Sequence, residues 1–273
     1  MHQHPASWNI ASASVQGASH RLADVECQDV HRVEVTQHGS LIIVVADGAG
    51  SAKNARWGAE IAVANVFERV RLLLEASPPD SLDTLVDIVM SSVRYGHDAI
   101  VDTATRLGQP LRSFHATLTC VIASDVGVAV GKIGDGVVVD QSPMYGLQTL
   151  AMPDNGEYVN STYFLTQLSD GYAGLYGVEY LPDSIAVMTD GLLEVAFDQP
   201  YGACVPWPNF FGPMFTWLAS SNSEVDMDAE LAGFLGSDAI RERSDDDLTL
   251  VLATRRPPIP STEAATGDTR PTS

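Results

Sequence analysis

Short apolar runs, separated by polar or glycine-containing junctions, recur along most of the chain. These runs predict strands at about residues 8–17, 31–37, 41–46, 117–123, 126–133, 136–140, 184–189 and 248–253. Between the third and fourth runs, apolar residues recur at helical spacing over 59–74 and again over 81–106. Two long helices in succession, set between strands, indicate a helical hairpin that covers a sheet. The three runs within 117–140 are so closely spaced that we interpret them as an antiparallel meander.

The remaining segments have the composition of loops, of further helices and of a tail. Residues 141–160 are rich in Pro, Gly, Asn and Asp and predict a long loop. Parts of 191–236 are predicted to be helical. From Arg255 onward the chain is rich in Pro, Ser, Thr, Ala and Gly, a composition typical of disorder. We therefore predict one domain over 1–254 and a disordered C-terminal tail over 255–273.

The length, charge and cysteine content of the chain exclude several classes of protein and of binding partner. The chain has 273 residues, enough to bury a sizeable core, and its net charge is −20. Such an acidic chain is a poor nucleic-acid binder and is repelled by anionic membranes. No apolar stretch reaches the roughly 20 residues of a membrane helix, and the N-terminus does not read as a signal peptide. Three widely spaced cysteines argue against a disulfide framework and a Cys-ligated zinc site. We expect a soluble cytoplasmic protein.

Three aspartates share one sequence context, the end of an apolar strand. Asp47 and Asp190 each follow such a run and precede a glycine, and Asp246 opens the last run. If the last strand is antiparallel to the other two, the three carboxylates converge on one edge of the sheet. Carboxylates in close contact all stay ionised only when a cation neutralises them. All-oxygen ligands favour Mg²⁺ or Mn²⁺ over zinc.

The glycines beside these aspartates have a physical role of their own. Gly48, directly after Asp47, lets the backbone turn sharply and approach an ion closely, so its carbonyl could itself be a ligand. A single Asp-Gly pair usually marks only a turn. Two such pairs after apolar runs, together with the acidic triplet 245–247 before a strand, favour a metal cluster.

Six short motifs occur between about Trp8 and Ala253. They are Gly17-Ala-Ser-His-Arg with Cys27-Gln-Asp29, Val44-Val-Ala-Asp-Gly-Ala-Gly50, Phe114-His-Ala-Thr-Leu-Thr119, Gly131-Lys-Ile-Gly-Asp-Gly136, Val187-Met-Thr-Asp-Gly191 and Ser244-Asp-Asp-Asp-Leu-Thr249. In this combination and order, the chain resembles the metal-dependent protein phosphatase 2C family. Its Gln-Asp pair and the stretch Gly156-Glu-Tyr-Val-Asn-Ser-Thr162 are similar to a bacterial branch of that family.

The resemblance implies an α+β fold, in which two mainly antiparallel sheets form a β-sandwich flanked by α-helices, a four-layer αββα arrangement. It also implies a binuclear Mn²⁺ or Mg²⁺ centre at one end of the sandwich. By resemblance, Asp47 bridges the two metals, and Asp190 and Asp246 complete one of them. The Gly48 carbonyl and the pair Gln28-Asp29 serve the other metal, with Asp29 acting through water.

The family mechanism is implied in the same way. A metal-bridging water loses its proton near neutral pH and attacks phosphorus in line. The metals and one cationic side chain stabilise the charge that builds on the phosphoryl oxygens. Asp135 and Glu194 match positions that can hold a third, weaker metal, although Glu194 stands where Asp is more usual.

The cation that holds the phosphate departs from the family pattern. In much of the family an arginine stands five residues before the Asp of the first motif, and here that position is Asp24, which cannot serve. His20 and Arg21 are the nearest replacements, and Arg21 is the predicted catalytic cation.

Two further departures concern a metal ligand and a proton donor. Gln28 replaces an acidic ligand, so the second metal is expected to bind less tightly. Ala49 replaces a histidine that is often seen in the family and can help to protonate the leaving group. His31 and His115 lie near motifs and are alternatives, although a lone histidine on or beside a strand is more often structural.

Three functions follow, in order of preference. The first is a phosphoserine/phosphothreonine protein phosphatase in bacterial signalling, acting on a serine/threonine kinase or its target. The second is a pseudophosphatase that binds a kinase or phosphoprotein, and the third is a small-molecule phosphatase. Because Asp47, Asp190 and Asp246 are all present, the enzyme is preferred. The predicted loop over 141–160 is expected to be mobile and to lie at the mouth of the active site.

Overall fold

The order of strands and helices follows the apolar pattern. The computed structural model describes residues 7–153, 162–168, 173–199, 202–221 and 225–256. The first half contains β1 (Trp8–Val15), α1 (Ala18–Leu22), β2 (Val30–Val35), β3 (Leu41–Ala46), α2 (Ala55–Ala76), α3 (Leu82–Leu107), β4 (Leu118–Ser124), β5 (Gly127–Ile133) and β6 (Val137–Ser142). The second half contains β7 (Gly146–Ala151), β8 (Gly174–Val178), β9 (Ser184–Met188), α4 (Leu193–Ala196), β10 (Phe197–Asp198), β11 (Val205–Pro206), α5 (Pro208–Ser220), α6 (Met227–Leu235), α7 (Asp238–Arg241) and β12 (Leu248–Arg255).

Two five-stranded sheets form the centre of the molecule. The first, which we call the β9 sheet, has the order β1-β12-β9-β6-β7, and the second, the β3 sheet, has the order β2-β3-β4-β5-β8. Neighbouring strands are antiparallel throughout both sheets. The short strands β10 and β11 pair separately.

Three apolar layers hold the sheets and helices together. One lies between the two sheets and includes Val45, Val121, Val187 and Val251. A second packs α2 and α3 on the outer face of the β3 sheet, and a third packs α4, α5 and α6 on the outer face of the β9 sheet. Central strands are therefore buried on both faces, which explains their continuous apolar runs. The predicted αββα sandwich is confirmed.

The predicted meander is wrong at its third strand. β4 and β5 pair as expected, but β6 pairs with β7 and β9 in the other sheet. Gly134, with a φ of 100° that disfavours other residues, turns the chain between β5 and β6. An apolar run predicts that a strand exists but does not name its partner. The crossing matters for function, because Asp135 lies on it.

The predicted loop over 141–160 is wrong in its first half. Ser142 still belongs to β6, and the six residues of β7 follow after a short turn. β7 is an edge strand and mostly half-buried, so it lacks the continuous apolar run of the central strands. Residues 154–161 lie outside the described residues, and the predicted position of this segment at an active-site mouth stays a prediction.

The C-terminal boundary also differs slightly from the expectation. β12 runs to Arg255, whose N–H donates to the carbonyl of Asp183 over 2.8 Å, so this strand extends one residue beyond the predicted domain boundary. Residues 257–273 lie outside the described residues, and their predicted disorder stays a prediction. Among the described helices, none has both the length and the apolar character needed to cross a membrane.

Helix α2 packs against backbone rather than side chains at Gly58. A Cβ atom on this residue would lie 2.4 Å from the carbonyl oxygen of Phe114, which ends a 3₁₀ turn before β4. A carbonyl oxygen cannot move aside by a change of rotamer. In α6, by contrast, a Cβ atom on Gly233 would meet nothing within 4 Å.

Overpacking of this kind usually costs about 1–3 kcal/mol, and alanine gains about 1 kcal/mol over glycine inside a helix. Because the contact is with a fixed backbone atom, Gly58→Ala is expected to lower the free energy of unfolding by a net amount of about 2 kcal/mol. Gly233→Ala is the matched control and should raise the free energy of unfolding. Urea unfolding followed by circular dichroism measures both. Similar shifts for the two variants would contradict the close approach of α2 to Phe114.

Candidate metal centre

Three strand ends meet at one end of the sandwich. Asp47 follows β3, Asp190 follows β9, and Asp246 lies just before β12. Because β9 and β12 are antiparallel neighbours, with Met188 opposite Leu250, the end of one lies beside the start of the other. However, β3 belongs to the other sheet. The predicted convergence on the edge of one sheet is therefore wrong, since the carboxyl groups come from both sheets of the sandwich.

The carboxyl groups are buried close enough to influence one another. Burial raises the pKa of Asp47 well above its usual value, and three neighbouring charges raise it further, those of Asp29, Asp246 and Asp135. Burial likewise raises the pKa of Asp190 well above its usual value, and the charges of Asp135, Asp47 and Asp246 add to the effect. Because their charges affect one another, the carboxyl groups of Asp29, Asp47, Asp135, Asp190 and Asp246 lie close together in one cluster.

Asp29 and Asp246 show shifts in the same direction. Burial is the main cause that raises the pKa of Asp29 to about 7, and hydrogen bonds from Thr249 and Thr189 offset it in part. Thr189 Oγ1 donates to Asp29 Oδ2 over 2.8 Å. Asp246 as a whole residue is exposed, yet burial of its carboxyl group is the largest cause of its raised pKa. The carboxyl group decides the electrostatics, because the charge resides there.

Three buried side-chain oxygens of this region have no hydrogen-bond partner, namely Gln28 Oε1, Asp29 Oδ1 and Asp135 Oδ1. A buried polar atom without a partner is costly and rare. Hard cations such as Mg²⁺ and Mn²⁺ prefer oxygen ligands of this kind. The donor atoms therefore fit a divalent cation. Within the described ranges, no three His, Cys, Asp or Glu side chains already form a ready-made metal site.

Backbone contacts fix the turn that carries the first aspartate. The Asp47 N–H donates to Thr117 Oγ1 over 2.9 Å, and the Asp47 carbonyl accepts from the Thr117 N–H over 2.8 Å. The Gly48 N–H donates to the carbonyl of Gln28 over 3.2 Å. A Cβ atom on Gly48 would lie 2.6 Å from the carbonyl carbon of Ala55, at the start of α2. Close packing therefore requires glycine here.

Asp247 organises the first motif, and the sequence analysis did not identify it. The residue is only 2% exposed. Its Oδ1 accepts from the Gly17 N–H over 2.7 Å, and its Oδ2 accepts from the Gln28 N–H over 2.6 Å. Oδ2 also lies 2.8 Å from His20 Nδ1. One carboxylate thus holds both ends of segment 17–28 against the start of β12.

The acidic triplet 245–247 already indicated that Asp247 could have a role of its own. Successive side chains of an extended chain point to opposite sides. Two adjacent aspartates before a strand can therefore serve two purposes, and here Asp246 joins the carboxyl cluster while Asp247 holds the first motif. Thr117 and Thr189 were also missed, although both lie within the quoted motifs.

Helix α1 presents the two predicted phosphate ligands in different ways. The His20 side chain is 18% exposed and is bound to Asp247, and its charge lowers the pKa of Asp246 against the larger effect of burial. His20 therefore lies beside the cluster. Arg21 follows it on the same helix and is exposed.

The two residues predicted to bind a third metal, Asp135 and Glu194, differ in how far they are buried. Asp135 is 8% exposed, and its Oδ2 accepts from Thr162 Oγ1 over 2.5 Å. Glu194 lies on α4 with an exposed side chain. The charge of Asp135 is among those that raise the pKa of Asp190. The structure thus brings Asp135 into the cluster and leaves Glu194 at the surface.

Of the two alternative histidines, one is near the Asp47 turn and the other is structural. The Ala49 N–H donates to the carbonyl of His115 over 3.0 Å, and the His115 ring is hydrogen-bonded to Thr166. Burial lowers the pKa of His115. His31 Nδ1 lies 2.8 Å from Ser14 Oγ and joins β2 to β1 across the sandwich.

Replacing Asp247 with alanine is expected to lower the free energy of unfolding by about 2–6 kcal/mol, because the buried N–H groups of Gly17 and Gln28 would lose their acceptor at about 1–3 kcal/mol each. Asp245→Ala is the matched control, because only the carbonyl of that residue binds Ser19. It should change stability by about 0.5 kcal/mol or less. Urea unfolding in the presence of a chelator measures both. If both variants lose the same small free energy of unfolding, Asp247 does not hold segment 17–28 in place.

The chain has clear similarity to known proteins. Residues 16–236 match the family described as protein phosphatase 2C. Over 256 residues the chain is 33% identical to serine/threonine-protein phosphatase 3 of Escherichia coli (strain K12), an alignment that covers 90% of this chain and 98% of that protein.

Solved structures share the fold at lower identity. Serine/threonine phosphatase Stp1 from Staphylococcus aureus has a TM-score of 0.61 at 12% identity, covering 93% of this chain and 98% of that one. PppA of Pseudomonas aeruginosa, described as a key regulatory component of T6SS, has a TM-score of 0.62 at 14% identity, covering 91% and 97%. With a family match over most of its length and a relative of 33% identity, the chain belongs to the protein phosphatase 2C family.

Proposed function

We propose that the protein is a metal-dependent serine/threonine protein phosphatase, which hydrolyses phosphoserine and phosphothreonine at a binuclear Mn²⁺ or Mg²⁺ centre. The observation that carries this proposal is the cluster of buried aspartates with side-chain oxygens that lack partners. Burial and like charge make such a cluster unfavourable by itself, and divalent cations would relieve both effects. Membership of the family supports the reaction class.

Each proposed ligand has a position in this cluster. Asp47 would serve both ions, as the resemblance to protein phosphatase 2C implies, and it lies among several other carboxylates. Asp190 and Asp246 would complete one ion. The Gly48 carbonyl and the pair Gln28-Asp29 would hold the other, and the partnerless oxygens of that pair support this assignment.

When bound, the two ions supply Lewis-acid activation of a water nucleophile and neutralise charge on the phosphoryl oxygens. The residues of the chain then orient the ligands and the substrate. Thr189 holds Asp29 through its hydroxyl. His20, fixed by Asp247, lies on the side of Asp246, and Arg21 follows it on α1 with an exposed side chain. Both would bind the phosphoryl oxygens through charge-assisted hydrogen bonds.

A third, weaker ion is proposed at Asp135, whose Oδ1 also lacks a partner. Glu194 would have to reach this ion from the surface of α4. Because the Glu194 side chain is exposed, an ion bound there would exchange readily with solvent, in keeping with weak binding.

The proposed substrate is a phosphoprotein, either a serine/threonine kinase or its target. A net charge of −20 gives no general attraction for an anionic phosphoprotein. Recognition must therefore depend on the metals and on a local cationic patch, for which Arg21 and His20 on α1 are the proposed residues.

The second candidate is a pseudophosphatase that binds a kinase or phosphoprotein without hydrolysis. Gln28 favours it, because a neutral amide stands in a ligand position and would hold an ion less strongly than a carboxylate. The replacement of a histidine by Ala49 favours it as well. The complete set of Asp47, Asp190 and Asp246 favours the enzyme.

Hydrolysis of a phosphothreonine peptide is expected to require millimolar Mn²⁺ or Mg²⁺. Asp190→Asn should lower kcat by about 10²-fold or more, as expected when an electrostatic contact to the reacting group is lost. Asp87→Asn is the matched control, because Asp87 is exposed on α3, on the outer helical layer of the β3 sheet. Phosphate release at several metal concentrations measures all three proteins.

One result would overturn the enzyme assignment, and another would overturn only the proposed position of its centre. If the folded protein binds Mn²⁺ but releases no phosphate, the pseudophosphatase is favoured. If Asp190→Asn keeps full metal-dependent activity, the proposed centre is misplaced.

Replacing Arg21 with alanine is expected to lower kcat/KM for a phosphopeptide about tenfold or more, since a hydrogen bond from a charged group contributes about 1.5–3 kcal/mol. Arg69→Ala is the control, because that arginine lies over the ring of Tyr95 on the helical layer. Steady-state kinetics with a phosphopeptide and with a small aryl phosphate measures both variants. An unchanged kcat/KM for Arg21→Ala, with a loss for His20→Ala, would assign phosphate binding to His20.

A further inference from the structure

An apolar groove lies on the outer surface between α5 and α6, on the helical layer of the β9 sheet. It has a volume of 290 Å³ and is lined by Pro213, Met214, Trp217, Glu230, Leu231 and Phe234. Its lining is mostly apolar, and Phe234 remains 41% exposed. The indole N–H of Trp217 donates to Glu230 Oε2 over 3.0 Å, which fixes the ring in the wall of the groove.

The chain leaves the described structure beside this groove. Arg256 is the last described residue, and its Nε donates to Asn9 Oδ1 over 2.5 Å. The Asn9 side chain in turn donates through Nδ2 to the carbonyl of Leu218 over 2.9 Å. Leu218 directly follows Trp217 in α5. Two hydrogen bonds therefore connect the point where the chain exits to the wall of the groove.

The next residues of the sequence have the chemistry that such a groove binds. Arg256 is followed by Pro257-Pro258-Ile259-Pro260. Proline-rich segments bind to grooves lined by aromatic side chains, because their extended backbone is already ordered and loses little entropy. Four extended residues span about 13 Å, and the chain starts from a point that Asn9 connects to the residue after Trp217. A direct covalent connection keeps the effective concentration of the segment high.

We propose that residues 257–260 of this same chain occupy the groove between α5 and α6. The groove is therefore an internal docking surface for the start of the C-terminal segment. It lies far from the aspartate cluster, because the exit point and Asp246 are at opposite ends of β12, which is about 23 Å long at 3.3 Å per residue. A docked segment would stabilise the helical layer without acting as a substrate mimic.

Fluorine NMR of the full chain, labelled with 5-fluorotryptophan, tests this proposal. The four tryptophan signals are assigned by single Trp→Phe substitutions. The test variant keeps the full length and replaces Pro257, Pro258, Ile259 and Pro260 with serine. Pro271→Ser, in the same C-terminal segment, is the matched control. We expect the Trp217 signal to shift in the four-serine variant only, while the Trp57 signal stays in place in both.

The alternatives give different results. An unchanged Trp217 signal in the four-serine variant overturns the proposal. If the Trp217 signal instead depends on protein concentration and ignores the four substitutions, the groove is a contact between copies of the chain, and the proposal is again overturned. Circular dichroism of each variant confirms that the fold is kept. Because neither readout uses phosphatase activity, the result is independent of the proposed function.

Discussion

Buried carboxyl groups of like charge set the main demand on this structure. Burial and mutual repulsion both raise the pKa of Asp47 and Asp190 well above their usual values, and both effects oppose folding of the ionised protein. The carboxyl groups stay together because each lies at a strand end that a sheet already fixes. Two complete sheets, and not a single loop, therefore hold the carboxyl groups together against their mutual repulsion. A divalent cation would relieve that repulsion.

The centre joins parts of the chain that are far apart in sequence. Asp247, near the C-terminal end of the domain, holds the backbone of Gly17 and Gln28 and the ring of His20. Thr189 connects the two halves again, since it accepts from the Thr249 N–H and donates to Asp29. Gln28 and Asp29 are thus each held by a hydrogen bond from a distant part of the chain, which limits their movement.

The apolar pattern of the sequence was sufficient to predict the strands that are buried on both faces. β3, β9 and β12 read as continuous apolar runs, and their ends correctly marked the cluster of aspartates. The pattern failed for β7, which is half-buried at an edge, and for the partner of β6, because sheet assignment depends on long-range contacts. The role of Asp247 could not be predicted from the sequence for a related reason. Which of two adjacent acidic side chains faces the cluster is decided by the register of β12 against β1 and β9.

The pairing of β1 with β12 has a consequence for synthesis of the protein on the ribosome. The first strand of the domain has no neighbour in its sheet until the last strand emerges, because β12 alone lies beside it in the β9 sheet. Asp246 and Asp247 enter at the same late moment, together with β12. A nascent or prematurely terminated chain could fold the helical hairpin on the β3 sheet, yet it would have neither a closed sandwich nor the complete cluster of aspartates. Such a fragment would expose apolar strand faces and be a substrate for chaperones or proteases. Only chains that include β12 thus acquire the whole cluster.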